Sequence, residues 1–114
     1  MHELAVVESL LNLALTHAKR ANAKRVVELN LVIGVLSGYM DDSIQFYWDA
    51  LSRDTLCQGA RLQFRHIPAV MSCQDCGHGY TMETELTPCP QCGGSRIIAT
   101  AGDDFRLDSI DVET

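Results

Sequence analysis

Four of the five cysteines in this 114-residue chain stand as two matched pairs, Cys73-Gln-Asp-Cys76 and Cys89-Pro-Gln-Cys92, twelve residues apart. A Cys-x-x-Cys turn lets both sulfurs face one point, and the glycine after each pair (Gly77, Gly93) leaves room for backbone amides beside those sulfurs. Two such turns close a tetrahedral four-thiolate site, which suits zinc. With all four positions filled by protein, no place is left for a substrate or a water, so the expected task is structural. The other readings of the same spacing are reduced thiols without a metal, two disulfides, or an iron tetrathiolate of the rubredoxin kind that transfers electrons. Colour separates the last, because iron tetrathiolate absorbs visible light and zinc does not. His78, just after the first pair, is an alternative ligand that would couple the site to pH, since histidine titrates near ~6.5; no histidine follows the second pair.

The second feature with chemistry in it is Met1-His2-Glu3. A terminal amine titrates near ~8 and gives up its proton to a metal readily. An imidazole one residue on can close a chelate ring, and backbone amides can deprotonate on a metal that favours planar nitrogen donors. That geometry selects Ni(II) or Cu(II). Asp41 could add an oxygen ligand if the start of the second helix packs beside residue 2.

The elements that must position these groups are legible in the hydrophobic pattern. Residues 3–21 carry Leu4, Val7, Leu11, Ala14, Leu15 and Ala18 at helical spacing, widened by Val6, Leu10 and Leu13. Glu3 in the first turn and Lys19 and Arg20 in the last suit the helix dipole. Residues 25–33 alternate, with Val27, Leu29, Leu31 and Ile33 toward a core and Val26, Glu28, Asn30 and Val32 away from it, which predicts a strand. Residues 42–53 predict a second helix with Asp41 or Asp42 as N-cap and Ile44, Trp48 and Leu51 facing inward. Residues 60–67 alternate again, and Pro68 is expected to end that strand's pairing. Arg96–Ala99 reads as a short strand. Residues 104–112 alternate with a phase slip near Ser109, as at a bulge, and are too apolar for a free tail.

The expected fold is α+β: two helices packed on a small, three-stranded, mostly antiparallel sheet, with an inserted zinc-ribbon-like module. Residues 1–68 plus 102–114 would form one domain, the last strand returning to it, and residues 69–101 the zinc-binding domain. Segment 71–94 offers only Met71, Tyr80, Met82 and Leu86 as large apolar residues, so the module should melt without its metal. Cys57 lacks a partner spacing and reads as a small, partly buried hydrophobe.

Composition narrows the partners. The net charge is −6 and the basic residues are scattered, which argues against nucleic acid even though many zinc ribbons bind it. No segment has the length and apolarity of a membrane span, and nothing resembles a signal peptide, so a cytoplasmic chain is expected. No nucleophile lies beside a base and no glycine loop is built for phosphate, so an enzyme is not expected.

Taken together, Met1-His2-Glu3-Leu4, Ile33-Gly34-Val35-Leu36-Ser37-Gly38, Gly59-Ala60-Arg61-Leu62, both Cys-x-x-Cys pairs and Gly102-Asp103-Asp104-Phe105-Arg106-Leu107 followed by Ile110-Asp111-Val112-Glu113 resemble the HypA/HybF family across the whole chain in order. These are nickel-insertion proteins of [NiFe]-hydrogenase maturation. The resemblance implies a metallochaperone with a nickel site at the Met1 amine, the His2 imidazole and amide and the Glu3 amide, and structural zinc on Cys73, Cys76, Cys89 and Cys92. It implies a partner GTPase, HypB, delivery to the hydrogenase large subunit, a monomer or weak homodimer, and in some members service to urease accessory proteins. Val32, Asp54 and Asp104 depart from the residues frequent in the family, and none is an implied ligand.

Overall fold

The computed structural model describes residues 3–82 and 87–114; Met1, His2 and Leu86, named above, lie outside them. In chain order the elements are α1 (Glu3–Arg20), β1 (Arg25–Gly34), α2 (Asp41–Leu51), β2 (Arg61–Ile67), β3 (Ala69–Cys73), β4 (Gly79–Met82), β5 (Ile97–Ala101) and β6 (Phe105–Glu113). They form two three-stranded sheets, ordered β2-β1-β6 and β4-β3-β5. Compactness divides the chain into a first unit of Met1–Leu31, Tyr39–Arg65 and Arg106–Thr114 and a second of Val32–Gly38 and His66–Phe105. No helix among the described residues is long and apolar enough to cross a membrane.

The first unit is built by burial. On α1 the fully covered side chains are Val7, Leu10, Leu11, Ala14 and Ala18, a stripe at i, i+3, i+4, i+7 and i+11. Two residues expected on that face are outside it: Leu4 is 41% exposed and Leu13 45%. At roughly 100° per residue Leu13 falls about 120° round from the stripe's centre, and Leu4 stands in the opening turn. His17 is exposed. From α2, Ile44 and Trp48 enter the core. The N-cap of α2 is Met40, in extended geometry and with no side-chain cap, so neither Asp41 nor Asp42 has the capping role expected of it. The helix starts one residue earlier, and both carboxylates occupy its first turn, where they still complement the dipole. Glu3 compensates: its Oε2 accepts the Met40 N–H at 3.4 Å, tying the start of α1 to the start of α2.

Contacts along the first sheet set its directions. Glu28 pairs with Arg61 and the Val35 N–H donates to the Ile67 carbonyl, so β2 runs parallel to β1, with α2 as the crossover. The Lys24 N–H donates to Glu113 and the Gly34 N–H to Asp104, so β6 runs antiparallel to β1 on its other side. As the central strand, β1 is covered more fully than a single alternation allows: Val26 and Val32, expected to face outward, are both 1% exposed. Along β6 the half-buried residues are Phe105 and Leu107, then Ile110 and Val112, so the burial phase slips where the sequence alternation does. Cys57 is fully buried, its thiol pushed up to about 11 by that burial.

The second unit has a thin core. Ala69, Met71 and Met82 are buried together, with Val35, Leu36, Tyr80 and Ile97 packed around them. The β2 strand ends at Ile67, before Pro68 as expected; β3 begins at Ala69 in the second sheet and pairs antiparallel with β4 (Met71 opposite Tyr80) and with β5 (Ser72 opposite Ile98), with a register shift after Val70. Residues 34–36 lie against 102–104, the Leu36 N–H donating to the Gly102 carbonyl at 2.8 Å. The approach is close enough that a Cβ at Gly34 would meet the Gly102 oxygen at 2.0 Å.

Candidate metal centre

Each cysteine pair sits at a tight turn made from the same parts. In the first, the Gly77 N–H donates to the Cys73 carbonyl at 2.9 Å; in the second, the Gly93 N–H donates to the Cys89 carbonyl at 2.8 Å. Both glycines take positive φ, 77° and 73°, which a side chain would strain. Amides then reach the sulfurs. His78 N–H bonds the Cys76 sulfur, Gly94 N–H lies 3.4 Å from the Cys92 sulfur, and the Cys92 and Gln91 amides bond the Cys89 sulfur. The turns bring Cys73, Cys76, Cys89 and Cys92 together with all four sulfurs within 4.8 Å of one another.

Two of the separations, Cys73 to Cys92 and Cys76 to Cys89, are 3.6 Å. Four sulfurs at ~2.3 Å from one ion stand roughly 3.8 Å apart at the edges of a tetrahedron. The arrangement and the all-sulfur donor set therefore fit a tetrahedral, thiophilic ion such as zinc. Cys73 and Cys89 are buried, and the second cysteine of each pair, Cys76 and Cys92, is exposed. Burial opposes ionisation at Cys89, but the Cys92 and Gln91 amides and the neighbouring thiols bring it down to about 7. At Cys76 the His78 amide works to lower the thiol, and burial with the thiols of Cys89, Cys92 and Cys73 outweighs it and pushes it up to about 12. Cys89 is thus the thiol poised near neutrality while Cys76 is held protonated, a cluster that a divalent cation can discharge.

His78 is not part of this group; its ring stacks on Tyr80 with centroids 5.9 Å apart. Sequence reasoning did not single out Asp75 and Arg96, whose side chains meet at 3.1 Å across the two turns. Nothing in the spacing predicts that contact, because it joins an internal residue of one turn to a residue four past the other. At the amino terminus, Glu3 and Asp41 fall among the described residues. The Glu3 carboxylate holds the amide of Met40, the residue before Asp41.

Comparison with known proteins gives one consistent result. The sequence model of the HypA family, described as hydrogenase/urease nickel incorporation, metallochaperone, matches residues 1–112. A hydrogenase maturation factor HypA from Dehalococcoides mccartyi is 40% identical over 113 residues, covering 99% of this chain and 95% of that one. One from Caldanaerobacter subterraneus is 35% identical over 114 residues, covering 99% and 100%. The solution structure of the Ni metallochaperone HypA from Helicobacter pylori superposes with a TM-score of 0.69 at 27% identity, covering 99% of this chain and 98% of that one. With a match running from residue 1 to residue 112, and with a fold and four-cysteine cluster that agree with it, this chain belongs to the HypA family, the nickel-incorporation metallochaperones of hydrogenase maturation, and is a carrier rather than an enzyme.

Proposed function

We propose that this protein carries Ni(II) at its amino terminus, on the Met1 amine, the His2 imidazole and amide and the Glu3 backbone amide, and delivers it to the [NiFe]-hydrogenase large subunit. The observation that carries this reading is that Cys73, Cys76, Cys89 and Cys92 already supply four sulfurs to one point. A site so closed has no position from which cargo could be taken or given, so the transported ion belongs elsewhere. Zinc on those sulfurs is structural and contributes folding free energy to the second unit. His78 is the alternative fourth ligand, in exchange for a thiolate.

The amino terminus has what a carrier needs. Planar nitrogen donors discriminate against Zn(II), which favours a tetrahedron, and a chain end can release its donors one at a time. Anchorage comes from Glu3, whose carboxylate binds the Met40 amide and so holds the first turn of α1 against α2. Asp41 follows Met40 directly and is, in this reading, a further oxygen donor. In this reading the protein works in the cytoplasm, as a monomer or weak homodimer, exchanges nickel with the GTPase HypB, and can also serve urease accessory proteins.

The test is nickel titration of zinc-loaded protein with a native amino terminus, beside His2→Ala and a form extended before Met1. The native form should bind about one Ni(II) tightly with the weak yellow absorption of a planar site. His2→Ala and the extended form should lose that binding and keep their zinc. Equal binding by all three would put the nickel elsewhere.

A further inference from the structure

In each cysteine turn the second cysteine, Cys76 or Cys92, is exposed and the first is buried. Any molecule that draws the ion out of the four-sulfur site must come from the exposed side and swing one turn away from the other. Side-chain and backbone contacts join the two turns. Asp75, between Cys73 and Cys76, reaches the Arg96 guanidinium, Nη1 to Oδ1, at 3.1 Å. The Gln74 N–H donates to the Arg96 carbonyl at 2.7 Å, so residue 96 is held to the first turn by both its backbone and its side chain. Arg96 is in turn four residues from Cys92, and the Cys89 N–H donates to the Gly94 carbonyl at 2.9 Å, which fixes the intervening chain to the second turn. The other Asp75 oxygen, Oδ2, lies directly over Gly94: a Cβ built there would stand 2.7 Å from it and 3.2 Å from the Cys92 sulfur. A side chain at residue 94 would therefore crowd both the Asp75 carboxylate and the Cys92 sulfur, and glycine leaves that space open.

We propose that Asp75, Arg96 and Gly94 form a latch across the two cysteine turns that slows loss of the resident ion, and that Asp75 and Arg96 are positioning residues for the four-sulfur site. The inference rests on the reading of that site as a zinc site. Its use to a carrier is specific: thiolates bind nickel as well as zinc, so a protein that handles nickel must keep its own tetrathiolate from exchanging with the cargo. The pair is solvent-exposed, 75% at Arg96 and 39% at Asp75, so its contribution to folding is small and its effect is expected in the opening of the turns.

The experiment is zinc release from the full, zinc-loaded chain into excess 4-(2-pyridylazo)resorcinol, followed by absorbance. Asp75→Asn and Arg96→Gln should each release roughly two- to five-fold faster than wild type, the scale of an exposed pair, and the double variant no faster than either single one. The exchanged pair Asp75→Arg with Arg96→Asp should return to within about two-fold of wild type, a rescue that a general loosening of the fold would not produce. Gly94→Ala should release faster than any of these, and adding Asp75→Ala to it should slow release again. Cobalt-substituted Asp75→Asn should keep the wild-type tetrahedral absorption, since the four sulfurs are untouched. Release by both single variants at the wild-type rate overturns the latch. A wild-type protein that purifies without zinc and takes none up overturns the zinc reading beneath it instead.

Discussion

The two units of this molecule are held together by different physics. In the first, Val7, Leu10, Leu11, Ala14 and Ala18 of α1 and Ile44 and Trp48 of α2 are covered with Leu29 and Leu31 of β1, a core of large side chains. At ~25 cal/mol per Å² of apolar surface removed from water, a set of this size can offset the chain entropy of a small domain. In the second, the central buried set is Ala69, Met71 and Met82. That is a small set, and in the proposed reading an ion on the four sulfurs supplies the stabilisation that burial does not. A unit held by burial tolerates a surface change at almost any position; a unit held by one ion, as proposed for the second, depends on four atoms.

The comparison is broken most directly by removing the metal. Chelation, or Cys73→Ser, withdraws on the order of 10–16 kcal/mol of apparent folding free energy from the second unit. Amide protection and NMR dispersion should collapse for residues 66–105 and persist along α1, with Trp48 fluorescence unchanged; a protein that keeps both units ordered without metal would end the distinction. Protons compete for the same sulfurs. With Cys89 near 7 and Cys76 near 12 in the metal-free site, apparent zinc affinity should fall as pH is lowered, because the thiolate form is the one that binds. A chelator competition series across about pH 6 to 8 reads this directly.

The reciprocal change is made in the first unit. Leu29→Ala removes a fully buried side chain and should cost about 2–5 kcal/mol in urea denaturation followed by Trp48, while zinc content of the folded protein stays at one per chain. A smaller effect, in the second unit but away from the sulfurs, is expected from Gly34→Ala, where a methyl group would meet the Gly102 carbonyl. Overpacking of that kind costs roughly 1–3 kcal/mol, and the loss should appear in residues 34–36 and 102–104 by hydrogen exchange. The smallest change belongs to Cys57. Its folded thiol at about 11 lies above the ordinary value of 9.0, so its contribution is intact below about pH 9 and is lost as pH rises toward 11. Cys57→Ala should flatten that alkaline limb, and in wild type Cys57 should resist alkylation at neutral pH until the first unit unfolds.

Much of the first unit was legible because its pattern is periodic and its burial one-sided. The stripe on α1 and the inward set on α2 follow from helical spacing, and only the flank positions Leu4 and Leu13 depart. Reading β1 as a strand with one covered face failed at Val26 and Val32, because alternation reports a strand's own geometry and not how many neighbours it has. Capping at α2 was misassigned for a related reason. Asp41 and Asp42 are good N-caps by type, but the position before them is occupied by Met40 and the carboxylate that serves its amide comes from Glu3, far away in the chain.

What the residues alone determined is the chemistry that depends on short spacing: two Cys-x-x-Cys turns, their glycines at positive φ, the amphipathic helices and the phase slip in β6. Each is set within a few residues by sterics and periodicity, so it survives in any context the chain adopts. What only the tertiary structure decided is where separated segments meet. Folding brought all four sulfurs within one coordination sphere, set Asp75 over Gly94 and against Arg96, ran residues 34–36 along 102–104, and placed the Glu3 carboxylate on the Met40 amide. Those contacts join residues distant in sequence, and their geometry is fixed by the packing of whole elements, for which no local pattern carries a signal.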